Sequence, residues 1–249
     1  MLFAAGLGTR LKPLTDHCPK ALVRIDGLTP LDITLERLRR AGATEVVVNV
    51  HHFGEQIIEH LSARDFDMSV KISDERDALL DTGGGLRKAA TLFRQDGEPI
   101  LIHNADILSN APLASFYEEN RFRAAALLVS HRETSRYLLF DDTDRLVGWT
   151  NIKTGEVRTP FKELDTGKCR RYAFSGIHTF SPHLFPMMES FPEKFSIIDF
   201  YLSVCDKVTV KGCPLDGLQL LDIGKPEALA SASSFLEKIR NNNGKPAKV

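Results

Sequence analysis

Phe3-Ala4-Ala5-Gly6-Leu7-Gly8-Thr9-Arg10-Leu11-Lys12-Pro13-Leu14-Thr15, followed by Pro19-Lys20, begins as an apolar strand, breaks at two glycines and then delivers Arg10, Lys12 and Lys20 within a dozen residues. Glycine has no Cβ, so the backbone at Gly6 and Gly8 can approach a ligand closely and present consecutive N–H groups. A concave run of such groups is an anion site, and fixed cations behind it neutralise a polyphosphate. The stretch therefore predicts a cradle for a nucleoside triphosphate at the end of a first strand, built from Ala5, Gly6, Gly8 and Thr9 with Arg10 and Lys20. It is not a Walker loop, because the G-x-x-x-x-G-K-[ST] spacing is absent. Nor is it a dinucleotide fingerprint, because the third glycine would fall at Leu11.

Outward from this loop, short β-branched runs alternate with helical periodicity, which predicts an α/β fold with a mostly parallel sheet flanked by helices. Strands are expected at Met1–Ala4, Val46–Val50, Ser69–Ser73, Pro99–His103 and Ala124–Ser130. Helices are expected at Leu31–Ala41, Glu55–Ser62, after Thr82–Gly85 to about Phe93, and near Ala114–Asn120. Leu31, Leu35 and Leu38 share one helix face, and Gly42 supplies the C-terminal stop. Between residues 137 and 160 the pattern changes to short segments separated by turn formers, which predicts an inserted set of antiparallel strands. The strand Tyr172–Phe180 returns to the main sheet. Helical segments near His183–Glu189 and Ile197–Cys205 follow, then strands at Lys207–Lys211 and Leu218–Asp222 and a final helix from about Pro226 to Arg240. The organisation expected is a single domain over 1–240 and a disordered polar tail over 241–249.

The chain has 249 residues, 43% of them hydrophobic, and a formal net charge of −1, so it can bury a large core and carries no global signal for nucleic acid or an anionic membrane. Cys18, Cys169, Cys205 and Cys213 form no C-x-x-C pair and no metal-ligand spacing, which reads as reduced thiols. Gly6, Gly8 and Arg10 interrupt the N-terminal apolar run before a signal-peptide core can form. No run reaches membrane-spanning length. These features predict a cytoplasmic protein.

Two carboxylates stand at strand-to-helix junctions. Asp106 follows the apolar strand before Asn104-Ala105-Asp106, where open α/β sheets bind ligands. Asp222 follows Leu218–Leu221 and precedes Ile223-Gly224-Lys225-Pro226-Glu227. Each carboxylate suits a magnesium ion or a helix cap, and sequence distance alone leaves open whether they meet. Thr82-Gly83-Gly84-Gly85 is a second glycine-rich stretch at a helix start, suited to an anion or nucleotide edge or to a loop. His51-His52 alternates across a strand and reads as structural. Trp149 reads as packed in the inserted sheet. No nucleophile–base–acid set is visible among the serines.

The string from Phe3 to Lys20, the Asn104-Ala105-Asp106 and Asp222-Ile223-Gly224 elements, the Thr82–Gly85 turn and Phe174-Ser175-Gly176-Ile177 together resemble the nucleotidyltransferases that join a sugar 1-phosphate to a nucleoside triphosphate. The resemblance runs from Phe3 to about Leu236. It is strongest to the short single-domain enzymes, the N-acetylmuramate 1-phosphate uridylyltransferases, and extends to mannose and heptose 1-phosphate guanylyltransferases. It implies a Rossmann-like three-layer αβα sandwich and a magnesium ion on Asp106 and Asp222. It assigns Arg10, Lys20, Asp106 and Asp222 to catalysis. Thr82, Gly83, Gly84 and Asn104 are assigned to the nucleotide, and Asp106, Ser175 and Gly176 to the sugar.

One departure stands out. Many of the resembling enzymes carry a Glu-Lys-Pro element whose lysine holds the sugar phosphate, whereas this chain reads Pro160-Phe161-Lys162-Glu163. Lys162 is the candidate substitute, with Lys20 or Arg10 as alternatives. The reaction implied is attack of the sugar-phosphate oxygen on the α-phosphorus with loss of pyrophosphate, by a monomer or homodimer. UTP with N-acetylmuramate 1-phosphate leads, and GTP with mannose or heptose 1-phosphate is the alternative. A noncatalytic nucleotide-sugar sensor would keep the fold, and an NAD-linked dehydrogenase is disfavoured by the loop cations and the missing glycine.

Overall fold

The computed structural model describes residues 1–243, with side chains through Ile239. The α/β class holds, and the chain forms two compact units, 1–79 with 103–115 and 217 onward, and 80–102 with 116–216. The chain passes between them at 79/80, 102/103, 115/116 and 216/217, the middle two crossings falling within β4 (Ile100–Asn104) and α4 (Leu113–Glu119).

In the first unit β1 (Leu2–Phe3) lies between β2 (Glu45–Val50) and β4, parallel to both, and β3 (Ser69–Asp74) pairs parallel to β2. Val46, Val47, Val48 and Val50 are all buried, as expected of a parallel strand covered on both faces. Helix α1 (Pro30–Arg40) starts at Thr29, whose hydroxyl accepts from the Asp32 amide at 3.0 Å, with Pro30 at its first position. Its buried face carries Leu31, Leu35 and Leu38, the face read from the sequence. Helix α2 (Gly54–Ser62) buries Ile57 and Leu61.

A separate antiparallel ribbon joins β5 (Ile107–Ser109) to β12 (Leu220–Asp222), with Asp222 opposite Ile107. Ile25, Leu108, Ile223, Ala232, Leu236 and Ile239 form a cluster that seats this ribbon on the C-terminal helices. Those helices, α6 (Pro226–Ala230) and α7 (Ala232–Asn243), replace the single helix expected from Pro226. Residues 241–243 continue α7. The rest of the expected disordered tail, 244–249, lies outside the described residues.

In the second unit β6 (Ala125–Ser130), buried at every position, pairs antiparallel to β10 (Arg170–Phe180) and parallel to β11 (Val210–Pro214). β10 also pairs antiparallel to β7 (Arg136–Phe140). From there β7, β8 (Leu146–Asn151) and β9 (Glu156–Arg158) run as the expected antiparallel meander. Trp149 lies on β8 with the Arg158 guanidinium 4.2 Å above its ring, a cation–π contact. Helices α3 (Asp81–Lys88) and α5 (Ile197–Val204) complete this unit. His51 and His52 fall just past β2 rather than on a strand, and His51 Nδ1 lies 2.7 Å from the Glu75 carbonyl.

Candidate active site

The loop leaving β1 is pinned at both ends and open in between. At its start the Ala4 amide donates to Asn49 Oδ1 at 2.8 Å, and Asn49 Nδ2 donates to Glu75 Oε1 at 2.8 Å, both side chains buried. At its far end Gly8 turns left-handed with φ 65°, and its carbonyl accepts from the Leu11 amide and the Thr15 hydroxyl, each at 2.9 Å. Its left-handed φ favours glycine, and a Cβ there would press on Thr15 Cγ2 at 3.0 Å and Lys20 Cβ at 3.2 Å. Among the described residues, the amides of Gly6, Leu7, Gly8, Thr9 and Arg10 have no protein partner, and all but that of Gly8 belong to exposed residues. Unpaired amides on exposed residues beside cations are what an anion cradle requires.

The antiparallel ribbon explains how two distant aspartates meet. Asp106 sits in the turn between β4 and β5, Asp222 ends β12, and the Ile223 amide donates to the Asp106 carbonyl at 3.0 Å. Lys20, raised on a single helical turn after Pro19, places its ammonium against Asp106 Oδ2 and 3.7 Å from Asp222 Oδ1. Arg10 Nη2 is 4.0 Å from Asp222 Oδ2. Arg10, Lys20, Asp106 and Asp222 thus form one cluster of two cations and two carboxylates. Lys20 is buried to the ammonium, whereas Asp106 and Asp222 keep 30% and 43% of their side-chain surface. The residual exposure leaves both carboxylates open to an incoming ligand.

Gly224, not singled out as a site residue from the sequence, shapes this cluster. Its amide donates to Asp222 Oδ1 at 2.8 Å. A Cβ there would lie 2.6 Å from Lys20 Nζ, 2.7 Å from Arg10 Nη2 and 2.8 Å from Asp222 Oδ1. The signal lay in the Asp222-Ile223-Gly224 element, but the reason for glycine depends on side chains far away in sequence. Thr15, which braces the far end of the loop, lies within the string read from the sequence, whereas Asn49 and Glu75, which brace its start, carried no pattern of their own.

A divalent cation of the magnesium kind takes one or two protein carboxylates and completes its shell with water and phosphate oxygens. Asp106 and Asp222 fit that donor set. Among the described residues no group of three or more His, Cys, Asp or Glu gathers to hold a metal unaided, so the remaining ligands would have to come from substrate and solvent.

In the second unit, helix rather than a loose turn begins at Asp81, itself at φ 61°. Thr82 Oγ1 accepts from the Ile197 amide at 2.9 Å. The amides of Gly83 and Gly84 both donate to the Phe195 carbonyl, at 2.9 and 3.2 Å. A Cβ on Gly83 would stand 2.4 Å from the Phe195 ring, and one on Gly84 2.3 Å from the Glu193 carbonyl. The Gly83 and Gly84 amides are thus already paired within the protein, and the glycines let α3 dock directly on the 193–195 backbone. Arg87, unforeseen, locks that docking by donating to the carbonyls of Met188, Phe191, Pro192 and Glu193.

Ser175 is buried and donates to the Leu128 carbonyl at 2.6 Å, so its hydroxyl proton is already committed within the protein. Gly176, at φ 76°, lies where the β10–β6 register shifts. Lys162 is exposed, and Asn104, half-buried, ends β4.

Over residues 1–239 the sequence matches the family described as nucleotidyl transferase, and the chain belongs to that family. As an enzyme it is a sugar-1-phosphate nucleotidyltransferase. It is 32% identical over 246 residues to an N-acetylmuramate alpha-1-phosphate uridylyltransferase of Caulobacter vibrioides, covering 95% of this chain and 96% of that one. It is 25% identical over 246 residues to mannose-1-phosphate guanyltransferase 2 of Candida glabrata, covering 96% of this chain and 65% of that one. Among solved structures, HddC from Yersinia pseudotuberculosis complexed with GMP-PN matches with a TM-score of 0.73 at 20% identity, covering 94% of this chain and 97% of that one. The inositol-1-phosphate CTP transferase from T. maritima matches with a TM-score of 0.75 at 16% identity, covering 96% and 94%. At such identities the structural likeness establishes the fold. No helix among the described residues is long and apolar enough to cross a membrane.

Proposed function

We propose that this enzyme transfers the uridylyl group of UTP to N-acetylmuramate 1-phosphate, releasing pyrophosphate. The observation that carries the reaction is the meeting of Lys20 with both Asp106 and Asp222 at the mouth of a loop of unpaired amides. The substrate pair is supported by the 32% identity, across nearly the full length of both chains, to a uridylyltransferase of that specificity.

In this reading the amides of Gly6 to Arg10 and the Arg10 guanidinium hold the departing pyrophosphate, and Lys20 neutralises charge on the α-phosphate. An oxygen of the sugar phosphate forms a bond to the α-phosphorus as the bond to the bridging oxygen breaks in line. Such transfer depends on positioning and charge neutralisation more than on a protein nucleophile. The incoming phosphate monoester is already largely ionised at neutral pH, so no general base is required. Magnesium on Asp106 and Asp222 would supply further charge neutralisation at the phosphates. Asn104 and Ala5 are assigned to the nucleotide. The base is assigned to the Thr82–Gly84 turn through packing rather than through the Gly83 and Gly84 amides. Ser175, Gly176 and Lys162 are assigned to the sugar phosphate side.

The test is a matrix of nucleoside triphosphates against sugar 1-phosphates, followed by pyrophosphate release with and without magnesium. The expected result is the highest kcat/KM for UTP with N-acetylmuramate 1-phosphate. A preference for GTP with mannose 1-phosphate would replace the substrates and keep the chemistry. Magnesium-independent turnover would remove the metal, and no release with any pair would leave a nucleotide-sugar sensor.

A further inference from the structure

We propose that Lys20 is a displaceable counter-ion, which holds Asp106 and Asp222 together in the free enzyme and moves to the nucleotide phosphates when a divalent cation takes the two carboxylates. This rests on the reading of Asp106 and Asp222 as the cation ligands. The ammonium touches Asp106 Oδ2 and lies 3.7 Å from Asp222 Oδ1, on a side chain only 10% exposed. The carboxylate oxygens that a cation would use are therefore the ones Lys20 engages. Space on the Gly224 side is already filled, since even a methyl group there would approach Nζ to 2.6 Å.

A divalent cation on these carboxylates would sit beside a like charge in a partly desolvated site, where repulsion is several times stronger than in water. Lys20 has a place to go. Its Cβ packs beside the left-handed Gly8, within the loop whose amides are free, and its four-carbon stem reorients without moving the backbone. A triphosphate in that loop draws the ammonium away and frees the carboxylates. A cation on the carboxylates in turn releases the ammonium to the phosphates. Metal and nucleotide consequently bind with positive coupling, equal in both directions.

The experiment measures binding of Mn2+ alone by the electron paramagnetic resonance of the free ion, in wild type, Lys20→Met and Lys20→Gln, with and without a non-hydrolysable UTP analogue. Lys20→Gln keeps a polar tip among the carboxylates and guards against a folding loss. Without nucleotide both variants are expected to bind Mn2+ about tenfold tighter or more. The enhancement of Mn2+ affinity by the analogue should be large in wild type and smaller in both variants by a similar factor. Unchanged or weaker Mn2+ binding in both variants, with binding still abolished by Asp106→Asn, overturns the displacement of Lys20 and leaves the proposed function standing. Mn2+ binding that survives Asp106→Asn overturns the carboxylate assignment as well.

Discussion

Gly224→Ala separates the geometry of the charged cluster from the stability of the fold. The added methyl would stand 2.6 Å from Lys20 Nζ, 2.7 Å from Arg10 Nη2 and 2.8 Å from Asp222 Oδ1. All three contacts are shorter than van der Waals separation, so the cluster must open. Two of the three atoms are tips of long flexible side chains, which move at little cost to the fold. The Arg10–Asp222 pair is more than 40% exposed on both sides, and such pairs contribute roughly 0–1 kcal/mol. Replacing glycine by alanine where the backbone tolerates it returns about 0.4–1 kcal/mol by restricting the unfolded chain. These two effects nearly offset, so a fall in melting temperature beyond about 2–4 °C would measure the displaced Lys20 ammonium, which is only 10% exposed. Catalysis is more sensitive, because misplacement of about 1 Å costs on the order of 100-fold. Thermal unfolding and pyrophosphate-release kinetics on the same preparation decide the matter. Turnover within threefold of wild type would refute the role given to Lys20, Arg10 and Asp222 as a positioned set.

Three further outcomes are expected. Asp106→Asn and Asp222→Asn should each nearly abolish pyrophosphate release while leaving the unfolding transition in place, and full activity in either would remove that carboxylate from the chemistry. Gly83→Ala should act on the fold instead, since its methyl would stand 2.4 Å from the Phe195 ring and 2.9 Å from the Phe195 carbonyl. Overpacking of this kind costs about 1–3 kcal/mol, read as a lowered denaturation midpoint, and an unchanged midpoint would mean that α3 is not docked as described. His103 is fully buried, and that burial, with the Arg37 charge nearby, pushes its pKa down to about 3. An unfolded histidine titrates near 6.5, so below that pH the unfolded chain takes up a proton that the folded chain does not. Stability should therefore decline as pH falls from about 6.5 toward 3. His103→Asn should flatten that decline in urea titrations between neutral and mildly acid pH, and an identical slope in the variant would count against this histidine as its source.

Legibility from sequence followed the range of the interactions involved. The α1 face of Leu31, Leu35 and Leu38 and the buried run Val46–Val50 were readable because helical and strand periodicities are local. β5 was not, because Ile107–Ser109 is too short to show alternation and exists through pairing with Leu220–Asp222. β11 was placed three residues early, at Lys207 rather than Val210. The amides of Lys207 and Val208 still bond to the Val204 carbonyl at the end of α5. The true strand also carries Gly212 and Pro214, two residues that disguise it. Asp106 and Asp222 were each visible at a junction, but their meeting was implied only by family resemblance, since the ribbon that joins them is a long-range feature.

At the glycines the difference between what sequence states and what the fold requires is sharpest. A glycine in sequence says that something approaches closely without saying what it is. At Gly212 it is the Phe140 ring, at Gly83 the Phe195 ring, and at Gly8 Thr15 and the stem of Lys20. At Gly224 alone, among these four, the approaching atoms are the charged tips of the proposed catalytic set. Gly83 and Gly84 stand out in a run of three, yet their close neighbours belong to a packing contact. Gly224 stands singly between Ile223 and Lys225, and the space it leaves is the space in which Lys20, Arg10 and Asp222 meet.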